Sequence, residues 1–171
     1  MTSNVPEPWL RGPLPGVPLL LQPAAHAFVM AREDVTAAVD GLTSEQLWRE
    51  PGGIASAGFH LAHLAGSTDR LLTYARGQAL SAMQRDTLEH ERSLSAKRPA
   101  LNELLTAWHT AVASALQQLA STSEASLLEP RVVGRARLRS TVLGLLFHAA
   151  EHASRHTGQI VTTAKLVRGL A

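Results

Sequence analysis

The sequence predicts an all-α fold: a four-helix bundle with an irregular N-terminal arm and an extended connector before the last helix. Three observations favour this class. Four long segments lack internal proline, and residues typical of helix starts and ends bound them. The composition offers a core of Ala and Leu, because only 4% of the residues are aromatic. A chain of 171 residues suits one domain with one core.

The N-terminal arm is predicted from its proline content. Six of the nine prolines lie in residues 1–23, and a segment so rich in proline cannot be helical. We therefore divide the chain into an arm, residues 1–22, and a helical domain, residues 23–171. Pro23 suits the first turn of a helix, where the missing N–H costs nothing.

The first two long helices follow from local end signals. The run Ala24–Val39 contains no Gly or Pro and predicts the first helix. Thr43 and Gln46 have the spacing of a capping box, which predicts a short helical turn after it. The second long helix is predicted to begin after Ser56 and to end near Arg76.

The second half of the chain predicts two more helices and a connector. A third long helix is expected over Pro99–Ala120. Residues 129–139 alternate in polarity, but the pattern is too short to predict a sheet, so we expect an extended connector. Ser140 or Thr141 can cap a last helix that continues to about Arg168.

Composition narrows the classes of function. The formal charge is only +2, from 16 basic and 14 acidic residues, which does not favour nucleic acid as a partner. Without cysteine there is no disulfide, thiolate zinc site or cysteine nucleophile. Prolines interrupt the apolar stretch Leu14–Met30, so we expect neither a signal peptide nor a membrane span, and a cytoplasmic location.

The histidines are the most informative feature. Eight are present, and five of them fall in two predicted helices: His60, His63, His148, His152 and His156. At about 100° per residue, His152 and His156 both face the apolar stripe of the last helix, whereas His148 lies at its edge. Two imidazoles one turn apart on one face can reach the same cation.

A third ligand must come from elsewhere, and the second helix offers His60 or His63. These two form the remaining close pair, since His26, His90 and His109 are single and scattered. Of the two, we favour His63. Three histidines would leave coordination positions open for water or substrate, as in catalytic zinc sites. The alternative is a hydrogen-bonded histidine cluster without metal, which would also satisfy buried imidazoles.

Two segments resemble the DinB-like superfamily of four-helix metalloproteins. The string from His148 to Gly169 is similar to its last-helix signature, in which a ligand pair precedes Gly-Gln. The segment from Ser56 to Leu64 is similar to the opening of its second helix. The resemblance implies His63, His152 and His156 as the metal ligands. One departure is Thr157, where the family commonly has Arg.

The resemblance also implies a function. Members of the superfamily look like divalent-metal proteins, often dimeric, and include transferases that use low-molecular-weight thiols and a thiol-dependent isomerase. We expect a metal-dependent enzyme, with zinc or nickel, that either transfers a small thiol to a small electrophilic substrate or hydrolyses that substrate. The alternative is a non-catalytic metal-binding bundle. We expect a homodimer with a small-molecule substrate, possibly a low-molecular-weight thiol, and no nucleic-acid or membrane partner.

Several other polar residues have two interpretations. Gln159 and Tyr74 are candidates to orient the ligands, or are simply buried polar groups. Glu151, and the segment ending at Glu91, are expected at the surface. The arginines of residues 131–139 could recognise an acidic thiol cofactor, but we favour a solvated charge run.

Overall fold

The computed structural model describes residues 5–170, apart from the side chain of residue 92. Most of these residues are helical. The four long helices are α1 (Gln22–Val39), α3 (Ala57–Ala75), α6 (Leu101–Ser121) and α7 (Val142–Gly169). The shorter elements are α2 (Ser44–Trp48), α4 (Ala82–His90), α5 (Leu94–Lys97) and the strands β1 (Pro130–Val133) and β2 (Leu138–Thr141). The all-α class is thus confirmed, with one small sheet added.

The long helices pack around a single core. Helix α7 contacts both α1 and α3, and α6 contacts both of them from the other side. The core is rich in Ala, Leu and Val, with Phe28 and Trp108 as its largest fully buried rings. Two of these helices, α3 and α7, carry the clustered histidines on the faces that meet.

Local capping places the starts of α3 and α7 where the sequence predicts them. The Oγ of Ser56 accepts a hydrogen bond from Phe59 N, and the Oγ1 of Thr141 accepts one from Gly144 N. Of the two candidates for the last helix, Thr141 is therefore the cap. The predicted capping box of Thr43 and Gln46 is also present, in α2.

The connector before α7 is a correction to the sequence prediction. Instead of a single extended strand, β1 and β2 form an antiparallel hairpin with Pro130 opposite Thr141 and Val133 opposite Leu138. Gly134, at φ 67°, opens the tight turn that reverses the chain. Four-residue strands carry too little alternation to be recognised from the sequence.

The third long helix starts later than predicted. Ala100 is its N-cap and Leu101 its first residue, whereas Pro99 lies outside it. The carbonyl of Pro99 accepts a hydrogen bond from Trp48 Nε1 at 3.2 Å, which ties this boundary to α2.

Residues 5–21 run along α1 with two short 3₁₀ turns. The side-chain amide of Gln22 bonds the backbone N and O of Leu14, and Arg11 forms an ion pair with Glu33 of α1. The predicted arm begins with residues 1–4, which lie outside the described residues. The division of the chain at residue 22 stays a prediction.

Within residues 5–170, every helix is too short or too polar to cross a bilayer.

Candidate metal centre

Three imidazoles converge where α3 meets α7. His63 comes from α3, and His152 and His156 come from successive turns of α7. Each ring offers one nitrogen, and the three nitrogens all lie within 4.8 Å of one another. All three residues are half-buried. The structure therefore brings together the three histidines that the sequence singled out.

The contacts of each ring show which nitrogen faces the centre. Nε2 of His63 lies 3.4 Å from Nε2 of His152. The opposite nitrogens face other groups: Nδ1 of His152 lies 3.5 Å from Ser67 Oγ, and Nδ1 of His63 lies 3.1 Å from Glu91 Oε1. In both residues Nε2 is thus the atom directed inward.

His60 stands behind the cluster. It is buried, and its Nδ1 lies 3.1 Å from Nδ1 of His156. Because Nδ1 of His156 makes that contact, Nε2 is the ring nitrogen of His156 that does not contact His60. His148 is different, because its exposed ring pairs with Glu151 Oε2 at 3.2 Å. Of these two further histidines, only His60 contacts one of the three converging rings through a ring nitrogen.

Glu91 is a site residue that sequence reasoning missed. The expectation that it lies at the surface is wrong, since it is only 8% exposed. It follows α4 directly, and one carboxylate oxygen lies 3.1 Å from His63 and 3.3 Å from Nη2 of Arg70. The spacing of His63 and Arg70, two helical turns apart on α3, is a signal that could have suggested Arg70. The position of Glu91 depends on how α4 packs across α3, and no local sequence pattern reveals that packing.

The contact between Glu91 and His63 is electrostatic rather than a well-directed hydrogen bond. Nδ1 of His63 is buried, and the ring does not point its N–H along the short separation. Nη1 of Arg70 is likewise buried without a hydrogen-bond partner among the described residues. Burial acts to raise the pKa of Glu91, but His63 and Arg70 together outweigh it and lower that pKa. Glu91 is therefore a buried carboxylate at neutral pH.

His152 and His156 are neutral at physiological pH. Burial, followed by the neighbouring imidazoles, lowers the pKa of His156 to about 3. Burial, followed by the neighbouring His63, lowers the pKa of His152 to about 4. The pKa of His60 is also lowered, mainly by burial. Neutral imidazoles keep the lone pairs that metal binding requires.

The donor set fits a borderline divalent cation such as zinc or nickel. Tetrahedral ligands at the usual Zn–N distance lie about 3.4 Å apart, and the inward Nε2 atoms of His63 and His152 are 3.4 Å apart. Two lone pairs at that distance repel unless a proton or a cation lies between them. Three imidazoles without a thiolate suit zinc, nickel, copper or iron.

The other candidate residues lie away from the three rings. Gln159 is exposed and lines an open cavity that also touches His60. Tyr74 lines a different cavity, beside the tip of the β1–β2 hairpin. Glu151 is bound by Arg155 and His148 on the outer face of α7. Phe59 stacks on His63, with ring planes 7° apart and centroids 6.0 Å apart, and so covers one face of that ring.

Comparison with known proteins adds the family. A search of curated proteins gave no match to this chain. The sequence model of the DinB superfamily matches residues 27–160, a stretch that includes α3, most of α7 and all three converging histidines. More than half of the chain is covered, from the first long helix to the last. The chain belongs to the DinB superfamily.

Proposed function

We propose that this protein is a divalent-metal-dependent enzyme of the DinB type. It would transfer a small thiol to a small electrophilic substrate, or hydrolyse such a substrate, at an open three-histidine site. The observation that carries the proposal is the convergence of three ring nitrogens, from His63, His152 and His156, within 4.8 Å. The packing of α1, α3, α6 and α7 supports the further proposal that the domain is a four-helix bundle of this type.

A cavity beside the cluster offers room for a substrate. It measures about 670 Å³ and opens between the start of α3 and the middle of α7. Its lining includes His60, which contacts His156, and the polar side chains of Arg155, Gln159 and Thr162. A space of this size suits a small molecule with a few polar groups.

The residues of the chain supply binding and orientation. A bound divalent metal would lower the pKa of a coordinated thiol or water and polarise a substrate group. Glu91 places a negative charge 3.1 Å from Nδ1 of His63, and Nδ1 of His60 contacts Nδ1 of His156 at 3.1 Å. The chain contains no cysteine, so a reacting thiol must come from outside.

A non-catalytic metal-binding bundle is the second candidate. It is favoured by one observation, the position of buried His60 at 3.1 Å from His156. If the His60 ring turned toward the cation, it would supply a fourth imidazole and close the site. Extended X-ray absorption on the zinc-loaded protein distinguishes the candidates: three histidines plus an oxygen ligand support the enzyme, and four histidines support the closed site.

Metal content tests the site itself. Elemental analysis of the purified protein is compared with H63A, H152A and H156A, each of which we expect to lose most of the bound metal. H26A and H109A are matched controls, because His26 bonds the Gly12 carbonyl and His109 bonds Thr36, away from the cluster. Equal occupancy in all six proteins would contradict the proposal.

Turnover tests the reaction. Zinc- and nickel-loaded protein is assayed with a panel of low-molecular-weight thiols and small electrophiles, with H152A as the control. We expect thiol-dependent or hydrolytic turnover that disappears in H152A. Full metal occupancy without turnover, and without a ligand-induced change at the metal, would leave the non-catalytic bundle.

Two further properties remain part of this proposal. We propose a homodimer, because apolar side chains such as Phe147 and Leu166 of α7 are exposed, at 59% and 47%. Light scattering after size-exclusion chromatography measures the mass directly, and a mass of one chain at micromolar concentration would contradict it. We also propose a cytoplasmic location, without nucleic-acid or membrane partners, which fractionation of cells would test.

A further inference from the structure

A second cavity lies away from the histidine cluster. It measures about 820 Å³ and is bounded by the end of α3, by α4 and by the tip of the β1–β2 hairpin. Its lining includes arginines together with aromatic and aliphatic side chains, among them Tyr74, Arg85, Leu88, Val132, Arg135 and Arg137. None of the clustered histidines reaches it.

The hairpin wall of this cavity is anchored to the helices. Nε of Arg131 donates a hydrogen bond to the carbonyl of Ala75, the last residue of α3, at 2.8 Å. The same guanidinium pairs with Glu129 through Nη2 at 3.0 Å. Because Arg131 ties β1 to α3, the hairpin tip is held above the loop that follows α3. One wall of the cavity is therefore tied to the helical body of the chain.

Two of the arginines lack an internal partner. Within residues 5–170, the guanidinium groups of Arg135 and Arg137 make neither an ion pair nor a hydrogen bond. Both lie in the turn that starts at Gly134, and Arg137 has φ 50°, a conformation that is costly for a residue with a Cβ. Strained turns of this kind concentrate at functional sites.

The charge of the lining is unbalanced. The third arginine, Arg85, gives one N–H to the carbonyl of Leu80. Glu89 is the acidic residue of the lining, so three guanidinium groups face one carboxylate. Guanidinium groups bind carboxylates and phosphates through paired hydrogen bonds.

The floor of the cavity is apolar. Leu88 is 46% exposed and Val132 is 40% exposed, and both side chains line the cavity. An anion alone would leave these surfaces in water. From the anchored hairpin, the unpartnered arginines and this apolar floor, we infer that the cavity binds a small amphipathic anion: a carboxylate or phosphate group attached to an apolar body.

Isothermal titration with simple probes tests the inference. Phenyl phosphate and phenylacetate represent the two anion classes. Benzyl alcohol lacks the anionic group, and inorganic phosphate lacks the apolar body. We expect saturable binding of at least one of the two aromatic anions. The anion with the lower dissociation constant shows whether the cavity prefers a phosphate or a carboxylate. In R135Q/R137Q the dissociation constant should rise about tenfold or more, because charged hydrogen bonds are lost.

Matched variants locate the binding. R139Q removes an arginine of the same hairpin that does not line the cavity, and should leave binding unchanged. L88E should weaken binding of the anions, whereas M83E, at an exposed position of α4 outside the lining, should not.

H63A/H152A separates this cavity from the metal centre, and it should bind the probes as the wild type does. The inference is overturned if neither aromatic anion binds saturably, or if R139Q weakens binding as much as R135Q/R137Q. It is also overturned if binding is lost in H63A/H152A.

Discussion

Glu91 places a buried negative charge 3.1 Å from Nδ1 of His63, the ring nitrogen opposite the one that faces His152. A carboxylate behind a ligating imidazole fixes the ring and raises its basicity, and such partners contribute strongly to metal affinity. Here the carboxylate is itself held by buried Arg70. Gly66 makes room for this pair, since a Cβ there would meet Nη1 of Arg70 at 2.8 Å.

We therefore expect E91Q to bind zinc about tenfold to a hundredfold more weakly than the wild type. Glutamine keeps the shape but removes the negative charge that stabilises His63. Competition with a chromophoric chelator measures the affinity, and side-chain ¹⁵N spectra of the metal-free protein report the tautomer of His63. E89Q, an exposed neighbour outside the cluster, is the control. Equal affinities for E91Q and E89Q would mean that Glu91 is only structural.

His152 and His156 of α7 also predict how acid affects the metal-free protein. Their pKa values in the folded state, about 4 and about 3, lie below the ordinary 6.5. Below pH 6.5 the unfolded chain therefore binds more protons than the folded one, and the free energy of unfolding falls as the pH drops from about 7 toward 4. Above pH 7.5 these groups contribute no pH dependence. The groups that face them include His63, His60 and Arg155, which disfavour added positive charge.

Urea denaturation at pH 8, 6 and 5, with a chelator present, measures this effect. We expect the midpoint to fall toward pH 5 in the wild type and to fall less in H152Q/H156Q, which lacks both titrating rings. H26Q/H109Q should keep the wild-type slope. A midpoint that rises on acidification, or a slope unchanged in H152Q/H156Q, would contradict the prediction.

At the scale of elements, two glycines of the helices that carry the clustered histidines have opposite surroundings. A Cβ on Gly58, in the first turn of α3, would lie 2.9 Å from ring atoms of Trp48. A Cβ on Gly158, in α7, would meet no atom within 4 Å. The start of α3 is thus packed tightly against α2, and Trp48 cannot retreat easily because its Nε1 is bonded to the Pro99 carbonyl.

We expect G58A to reduce the free energy of unfolding by about 1–3 kcal/mol through overpacking. G158A should increase it by about 0.5–1 kcal/mol, because alanine restricts the unfolded chain and favours the helix. Chemical denaturation of the two variants beside the wild type measures both. Destabilisation by G158A, or tolerance of G58A, would show that the packing at these positions differs from the structure described.

The elements also show what the sequence can and cannot predict. Ser56 and Thr141 were predictable as caps because a cap bonds residues three positions away, within reach of local spacing. The convergence of His63 with His152 was predictable in outline, from helical period and resemblance together. The β1–β2 hairpin and the contact between Glu91 and His63 could not be predicted, because both depend on where segments pack in the folded chain.

At the scale of the whole molecule, the cluster joins segments that are far apart in the chain. His63 and His152 are separated by 89 positions, and the contact between them exists only when α3 and α7 are packed. A metal that binds this cluster therefore binds the folded state and stabilises it by mass action.

We expect zinc at a free concentration of about one hundred times its dissociation constant to add roughly 2.7 kcal/mol to the free energy of unfolding. For a chain of this size, that raises the melting temperature by about 5–10 °C. Scanning calorimetry with and without zinc measures the shift, and H63A, which keeps the histidines of α7, should show little. The prediction fails if zinc leaves the melting temperature of the wild type unchanged or shifts H63A equally.

Helices α1 and α6 supply much of the apolar interior, yet neither contributes a ring to the three-histidine cluster. The outward-facing residues of these two of the four long helices can therefore change without altering the three-histidine cluster. A protein engineer can therefore seek stabilising substitutions on α1 and α6 without changing the clustered histidines of α3 and α7.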